Sequence, residues 1–295
     1  IHRTESAIVH FNSVTLAPYL ILRLFVSAKF VVHCRESIAD GHFGIRKWTL
    51  CKLMDLFADR VIAICQHNKD RLALSTGKTE LIYNPIDTLA FTPPAEFSKK
   101  SLRERYGLPY NCRVLLFVGG SSHQEKGLCD FLALTNRLAD DCFNGGRFKA
   151  LVLKAPNDMM DNPDYAVNEK ARQHLMPMPF VDDMPSIYGM TDVVFVLHLV
   201  PHFSRTVAEA NAMKVPVIAY DTPGVSEVVD DGKTGILVAK GDIDNLVAAT
   251  NKVLADDELR NALLENGLQK AEELFSAPKH AQQVMAVYKK LLPSQ

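Results

Sequence analysis

The chain has 295 residues, 47% of them hydrophobic, and a formal net charge of −1. That length suits two domains of ordinary size, each with its own core. The near-zero charge excludes a protein that coats nucleic acid, and no segment reaches the ~20 uninterrupted apolar residues that a membrane-spanning helix needs.

The first residue is Ile, and a strand is expected at once over Ala7–Phe11, so the chain is expected to begin inside a larger protein. Further strands are expected at Phe30–Cys34, Val61–Cys65 and Glu80–Tyr83, separated by helical stretches near Leu16–Ser27 and Ile45–Phe57. Asn84-Pro85 and then Pro93-Pro94 break the pattern. Proline lacks a donor and biases its neighbour away from helix, so a linker is expected there. A second alternating block opens at Val114–Gly119 and continues with strands Lys149–Lys154, Val193–His198, Val215–Tyr220 and Gly235–Val238. Its helices are expected at Leu128–Ala139, Ser204–Met213, Ile243–Ala255 and Asp257–Phe275, with another start near Glu227. A last helix after Pro278 carries Ala281, Val284, Tyr288, Leu291 and Leu292 on one face.

Apolar runs alternating with amphipathic stretches are the mark of parallel sheets with crossover helices. The expected class is therefore α/β, with two Rossmann-like doubly wound domains. Residues 1–92 form the first, which is short of strands and so incomplete at its N-terminus. Residues 93–277 form the second, and 278–295 a helix that returns to the first domain. Of the six cysteines none forms a C-x-x-C pair, and Cys34, Cys65 and Cys129 lie in apolar runs where thiols pack as small hydrophobes. A reducing, cytosolic compartment is expected.

The most informative stretch is Phe203–Val238. Ser204 opens a helix, and Arg205 and Glu209 lie one turn apart on it. A helix start presents unpaired N–H groups and favours anions, above all phosphates. A cation in the first turn opposes the helix dipole unless an anion binds beside it. The structural alternative is a plain i, i+4 ion pair. Gly119-Gly120-Ser121-Ser122 followed by Glu125-Lys126-Gly127 forms a glycine-rich strand-to-helix loop, where backbone N–H groups can approach phosphate; a flexible loop with a solvated lysine is the alternative. Both loops belong to the carboxyl edge of one parallel sheet, where ligands bind.

Several tempting motifs carry less. The Gly-Lys-Thr triplets Gly77–Thr79 and Gly232–Thr234 precede strands and lack the first glycine of a P-loop, so they read as turns. Asp242-Ile243-Asp244 has metal-site spacing but reads as a helix cap. His198 and His202 are separated by Pro201, which prevents the helix that would align them on zinc. In the first block, Asn12-Ser13 and Arg35-Glu36 follow two strands and are expected to face a cleft between the domains. A salt-bridged loop is the alternative there.

Taken in order, these pieces resemble family 4 glycosyltransferases, retaining enzymes of GT-B architecture. Phe117-Val118-Gly119 with Glu125-Lys126-Gly127 resembles the phosphate loop. Phe180–Pro185 with Tyr188 resembles the segment before the donor strand, and Phe203, Arg205, Thr206 and Glu209 the acidic donor motif. Val215–Ile218 and Gly232–Gly235 complete the second domain, and Val32–Glu36 and Ile82–Asp87 resemble the later part of the first.

The resemblance implies hexosyl transfer from a nucleotide-diphosphate sugar to a glycan or lipid-linked acceptor, as in polysaccharide biosynthesis, without metal or other cofactor. Arg35, Lys126 and Glu209 would be catalytic. Gly119, Gly120, Lys126, Ser204, Arg205, Thr206, Glu209, Thr222, Pro223 and Gly224 would bind the donor. Asn12, Ser13, Arg35 and Glu36 would face the acceptor. The resemblance also implies a cytoplasmic enzyme, at the inner membrane surface where a missing N-terminal part makes peripheral contact, and no nucleic-acid partner.

The chain departs from the family pattern. Pro201 stands where the first acid of the donor motif belongs, and Gly120 where a basic phosphate ligand belongs. Ser204 and Lys214 replace glycines. Two rivals therefore stand beside a glycosyltransferase: a non-catalytic homologue that binds a nucleotide or partner subunit, and a GT-B sugar-nucleotide epimerase.

Overall fold

A computed structural model of the chain describes residues 7–38, 44–92, 99–119 and 123–292. The chain divides into two compact units, Ile1–Pro85 with Leu274–Gln295, and Ile86–Glu273. Each is an α/β unit built on a parallel sheet. Pro93-Pro94, part of the expected linker, lie outside the described residues.

The first unit holds four strands, β1 (Ile8–Phe11), β2 (Lys29–Cys34), β3 (Arg60–Ala63) and β4 (Thr79–Leu81), in the order β1-β2-β3-β4. One face packs on the helix Ile45–Phe57 and the segment Val14–Leu24, around Leu20, Phe30, Val32, Met54 and Val61. That segment is a 3-10 helix with Pro18 inside it, not the expected helix Leu16–Ser27. Arg23 pairs with Asp59 at 2.8 Å, and Asp59 also accepts from the Phe30 N–H, which fixes the segment's end to the sheet.

The other face is covered by the final helix, Ala277–Leu291. Pro278 sits in its first turn, where no donor is needed, and Lys289 and Lys290 sit in its last turn, where cations suit the dipole. Val284, Val287, Tyr288 and Leu291 pack on Ile8, Val31, Ile62 and Ile82. Each aliphatic side chain so buried contributes about 1.5–3 kcal/mol. Moving along the strands toward their carboxyl ends, this aliphatic layer gives way to histidines. His10, on β1, accepts or donates at 2.6 Å to the Tyr288 hydroxyl, and the His33 ring on β2 stacks on His280. His33 is fully buried and neither ring nitrogen has a hydrogen-bond partner.

The second unit holds β5 (Arg113–Val118), β6 (Phe148–Leu153), β7 (Leu175–Met178), β8 (Val193–Val196), β9 (Val217–Tyr220) and β10 (Ile236–Val238), in the order β10-β9-β8-β5-β6-β7. Its central strands read as continuous apolar runs because helices cover both faces. Phe117, Phe131, Phe148, Phe195 and Tyr220 anchor the core. Strand β7 is not foreseen by sequence reading, since Pro177 lies within it; it is an edge strand, where a missing donor costs nothing. The short helices Gln66–Leu72, Lys99–Arg105 and Met184–Met190 were also unforeseen. The helix expected near Glu227 does not form, and a run of turns from Thr222 to Val229 takes its place. All six cysteines are free thiols, but Cys129 is exposed on the helix Leu128–Asp140 instead of packing inside.

At the amino edge of this sheet, Asp192 is buried beneath Lys99, at 2.7 Å, and Arg103, and it accepts the Val114 N–H. Burial alone would raise its pKa; the two cations and the N–H outweigh that and hold it below the usual range. Arg103 also donates to the carbonyls of Met190, Tyr110 and Cys112, so one ion pair ties three segments together.

Asp192→Asn leaves two cations without their counter-charge and should cost about 3–5 kcal/mol, seen as a lower urea midpoint; a loss under about 1 kcal/mol would show the pair to be dispensable. His33 is pushed from 6.5 to about 3, by burial and by Arg35, His10 and His280. A neutral buried base lends stability that is complete above its unfolded pKa and is lost as pH falls toward the folded one. Between pH 6.5 and 5, His33 should therefore cost about 2 kcal/mol of protection in β2 and the final helix. Hydrogen exchange corrected for intrinsic rates checks this. His33→Leu should flatten the dependence, and an equally steep one in that variant would remove His33 as its source.

Candidate active site

Strand order in the second unit reverses its direction of growth between β5 and β8, which pair directly. The loops leaving these two strands therefore part from each other and open a crevice at the carboxyl edge. The β5 loop supplies Gly119 and Lys126; Gly120, Ser121 and Ser122 lie outside the described residues. Lys126 is half-buried, and its ammonium donates to the Gly119 carbonyl at 3.0 Å. Burial, and then Lys154 nearby, lower its pKa. The loop is held tight by two glycines. A side chain on Gly119 would meet the Leu153 carbonyl, and Gly127, at φ +79°, lies against the Leu197 backbone.

The β8 loop ends at Ser204, which stands before the helix Arg205–Ala212 in extended conformation. Its side chain makes no capping bond, and its hydroxyl is buried without a partner. Arg205 and Glu209 form the i, i+4 pair at 3.4 Å, so the structural alternative for these two residues is realised. Glu209 is nonetheless no surface acid. It is largely buried and accepts a hydrogen bond from the Tyr188 hydroxyl at 3.0 Å, while Thr206 also reaches that hydroxyl. Burial raises the Glu209 pKa, while Arg205 and Tyr188 hold it back. A carboxylate has about four acceptor positions, and these two partners leave room for ligand hydroxyls.

The β9 loop closes the third side. Its Thr222 hydroxyl is also buried without a partner. The Pro223 carbonyl accepts the His202 N–H at 3.1 Å, and Gly224, at φ +88°, lies against the His202 backbone where a side chain would clash. Thus Gly119, Lys126, Ser204, Thr222, Pro223 and Gly224 lie on three adjacent loops of one sheet edge, and Arg205, Thr206 and Glu209 on the helix that follows the middle loop. Pro201 is exposed on the middle loop.

The histidines set aside as zinc ligands do meet, though not around a metal. The rings of His198 and His202 stack at 4.9 Å, 7° from parallel. Parallel stacked rings cannot converge on one ion, and among the described residues no group of three or more metal-ligating side chains exists. The Asp242 side chain caps the helix Ile243–Ala255 through the Asn245 N–H, and Asp244 pairs with Arg137 at 2.9 Å. Both Gly-Lys-Thr glycines sit in turns at positive φ. Sequence reading did not foresee Tyr188 as the support of Glu209, nor the Lys154 ammonium 4.3 Å over the exposed Phe180 ring.

In the first unit the residues expected on the acceptor side also gather at the carboxyl edge. Arg35 donates to Asn12 at 2.7 Å and to Asn84 at 2.6 Å, joining the ends of β1, β2 and β4. Ser13 caps the 3-10 helix through the Thr15 N–H and hydrogen-bonds Glu36. Asn84 had no assigned role in the sequence.

Comparison with known proteins gives this geometry a family. Residues 98–270, more than half of the chain, match the family described as glycosyl transferases group 1. The capsular polysaccharide biosynthesis glycosyltransferase CapM of Staphylococcus aureus is 26% identical over 236 residues, covering 77% of this chain and 60% of CapM. The chain spans between 49% and 68% of the length of the first curated relatives it matches. Among solved structures, Anabaena HepE in complex with UDP superimposes with a TM-score of 0.85 at 20% identity, covering 96% of this chain and 79% of that one. HepE in complex with UDP-glucose gives 0.79 at 21%, covering 96% and 78%. The two parallel-sheet units are those of the GT-B fold, and the chain belongs to the glycosyl transferases group 1 family.

Proposed function

We propose that the chain is the greater part of a glycosyltransferase. It would move a hexosyl group from a nucleotide-diphosphate sugar to a glycan or lipid-linked acceptor, with retention and without a metal. The observation that carries this reading is the crevice between the β5 and β8 loops. It combines one half-buried ammonium, a helix start and two buried hydroxyls without partners. An ammonium, free helix N–H groups and unpartnered hydroxyls are the donor types that suit an anion. Lys126 and the backbone amides at the start of the helix Arg205–Ala212 would take up charge as the diphosphate departs. Glu209, braced by Tyr188, would accept the ribose hydroxyls. Thr222, Pro223 and Gly224 would border the sugar. Arg35, steadied by Asn12 and Asn84, with Ser13 and Glu36 beside it, would meet the acceptor.

Metal independence draws support from the carboxylates with metal-site spacing, which are committed to a helix cap and an ion pair. The polysaccharide role of CapM and the UDP-glucose bound to HepE suggest the substrate classes. An enzyme working on lipid-linked glycans would act at the cytoplasmic face of a membrane, through peripheral contact. A non-catalytic nucleotide-binding homologue is the second reading. Pro201 favours it, because an exposed proline offers no side-chain hydrogen bond to a sugar.

Calorimetry with UDP, GDP and ADP tests the donor site, and one of the three should bind. Glu209→Gln should weaken that nucleotide by about 1.5–3 kcal/mol, through loss of charge-assisted hydrogen bonds, with the thermal midpoint little changed. Lack of heat with all three at millimolar concentration would sink the reading. Binding without transfer of radiolabelled sugar, to any acceptor offered to the full-length protein, would favour the non-catalytic homologue. The anomeric configuration of the product, read by NMR, decides retention.

A further inference from the structure

A diphosphate diester carries two negative charges, and the crevice meets it with few cations. Lys126 contributes one. Arg205 is already paired with Glu209 at 3.4 Å. Lys154 lies 4.3 Å from the Phe180 ring, close enough to Lys126 to lower its pKa. What stands beside Lys126 instead is imidazole. His198 is buried at the end of β8, and His202 stacks on it at 4.9 Å from the exposed side of the loop. His123, on the β5 loop, has its Nδ1 buried without a partner. We propose that the stacked pair His198–His202 is the second cationic contact for the donor diphosphate, and that it becomes cationic by taking up one proton when the donor binds.

The surroundings explain why the pair waits uncharged. Glu125 and Lys126 face it from the β5 loop, and His123 on that loop lies near Lys126. Lys240 reaches the same loop, donating to the Leu199 carbonyl at 3.4 Å, and Arg205 and Glu209 follow on the next helix. The β9 loop brings Asp221, Thr222 and Pro223. Desolvation dominates: one face of each ring lies against the other, and His198 is lowered to about 3, with His202 and Lys126 adding to the effect. His202, more exposed, is also lowered, by desolvation against its neighbours and then by Lys126, with Glu125 opposing. A dianion in the crevice reverses the sign of the local field. An opposite charge within about 4–6 Å shifts a pKa by about one to three units toward the charged form. Stacked rings 4.9 Å apart hold one added proton far more readily than two, so uptake stops at one.

The inference rests on the donor-site reading, and the test separates the two. UDP-glucose is titrated into the chain by calorimetry at pH 6, in two buffers of unlike ionisation heat, with GDP-mannose and ADP-glucose as alternatives. Diphosphate diesters carry no proton of their own near neutrality, so any uptake belongs to the protein. The expected result is uptake of about half a proton per donor bound, with affinity rising by about twofold as pH falls from 7.5 to 6. The sign follows because the bound pKa is the higher one. His202→Asn and His198→Asn should each reduce the uptake and flatten the pH dependence of affinity. Binding with no proton uptake, as expected if Lys154 supplies the second charge, overturns the inference and leaves the donor site standing. Uptake that persists undiminished in both variants overturns it as well. Absence of binding by all three donors overturns the inference together with the reading beneath it.

Discussion

A half-buried ammonium stands at the reversal point of a six-stranded parallel sheet in the second unit, and its charge has no counter-ion in the hydrogen bond it makes. Strand order β10-β9-β8-β5-β6-β7 parts the loops after β5 and β8, and Lys126 stands in the gap. Within the protein its hydrogen bond runs to a carbonyl, which satisfies one N–H and neutralises nothing. The rest of the edge follows from that choice. Glycines at 119, 127 and 224 let three backbones close around the gap, and the hydroxyls of Ser204 and Thr222 point where protein offers no partner. An apolar core beneath, centred on Phe117, Phe131 and Phe195, keeps this polar rim rigid.

The first unit handles polarity differently. Between its sheet and its final helix, an aliphatic layer passes into a histidine layer and then into a rim of Asn12, Arg35 and Asn84. The histidines stay neutral because burial and the nearby guanidinium both oppose a proton. The same trade recurs at His198 and His202, where Lys126 takes the part of Arg35. Each unit thus sets neutral imidazoles beneath a cation at the carboxyl edge of its sheet.

Much of this was legible in the sequence because local signals agreed with the fold. The helices Ile45–Phe57, Ile243–Ala255 and Asp257–Phe275 form where amphipathic stretches were expected, the second behind its Asp242 cap, and among the described residues nine of the ten strands show as apolar runs. Strand β7 stayed hidden because Pro177 is a breaker everywhere except at an edge. The turn run after Thr222 hid for the opposite reason: Val225, Val228 and Val229 have a helical spacing, yet the chain spends their burial on turns that press Gly224 against His202. Lys214 illustrates a replaced glycine, since it stands at φ +52°, the left-handed region glycine prefers. The site residues were found by position relative to strand ends. Their partners were not, because Tyr188 meets Glu209, and Asn84 meets Arg35, only through tertiary packing.

The measurement that tests the central claim most directly is a crystal structure of the chain with a bound nucleotide-diphosphate sugar. The account predicts diphosphate oxygens within hydrogen-bond reach of the Lys126 ammonium and of the backbone N–H groups at Ser204–Thr206, with ribose hydroxyls on the Glu209 carboxylate. A nucleotide seated elsewhere, for example in the cationic cavity at the amino edge lined by Lys99, Arg103 and Arg113, would contradict it.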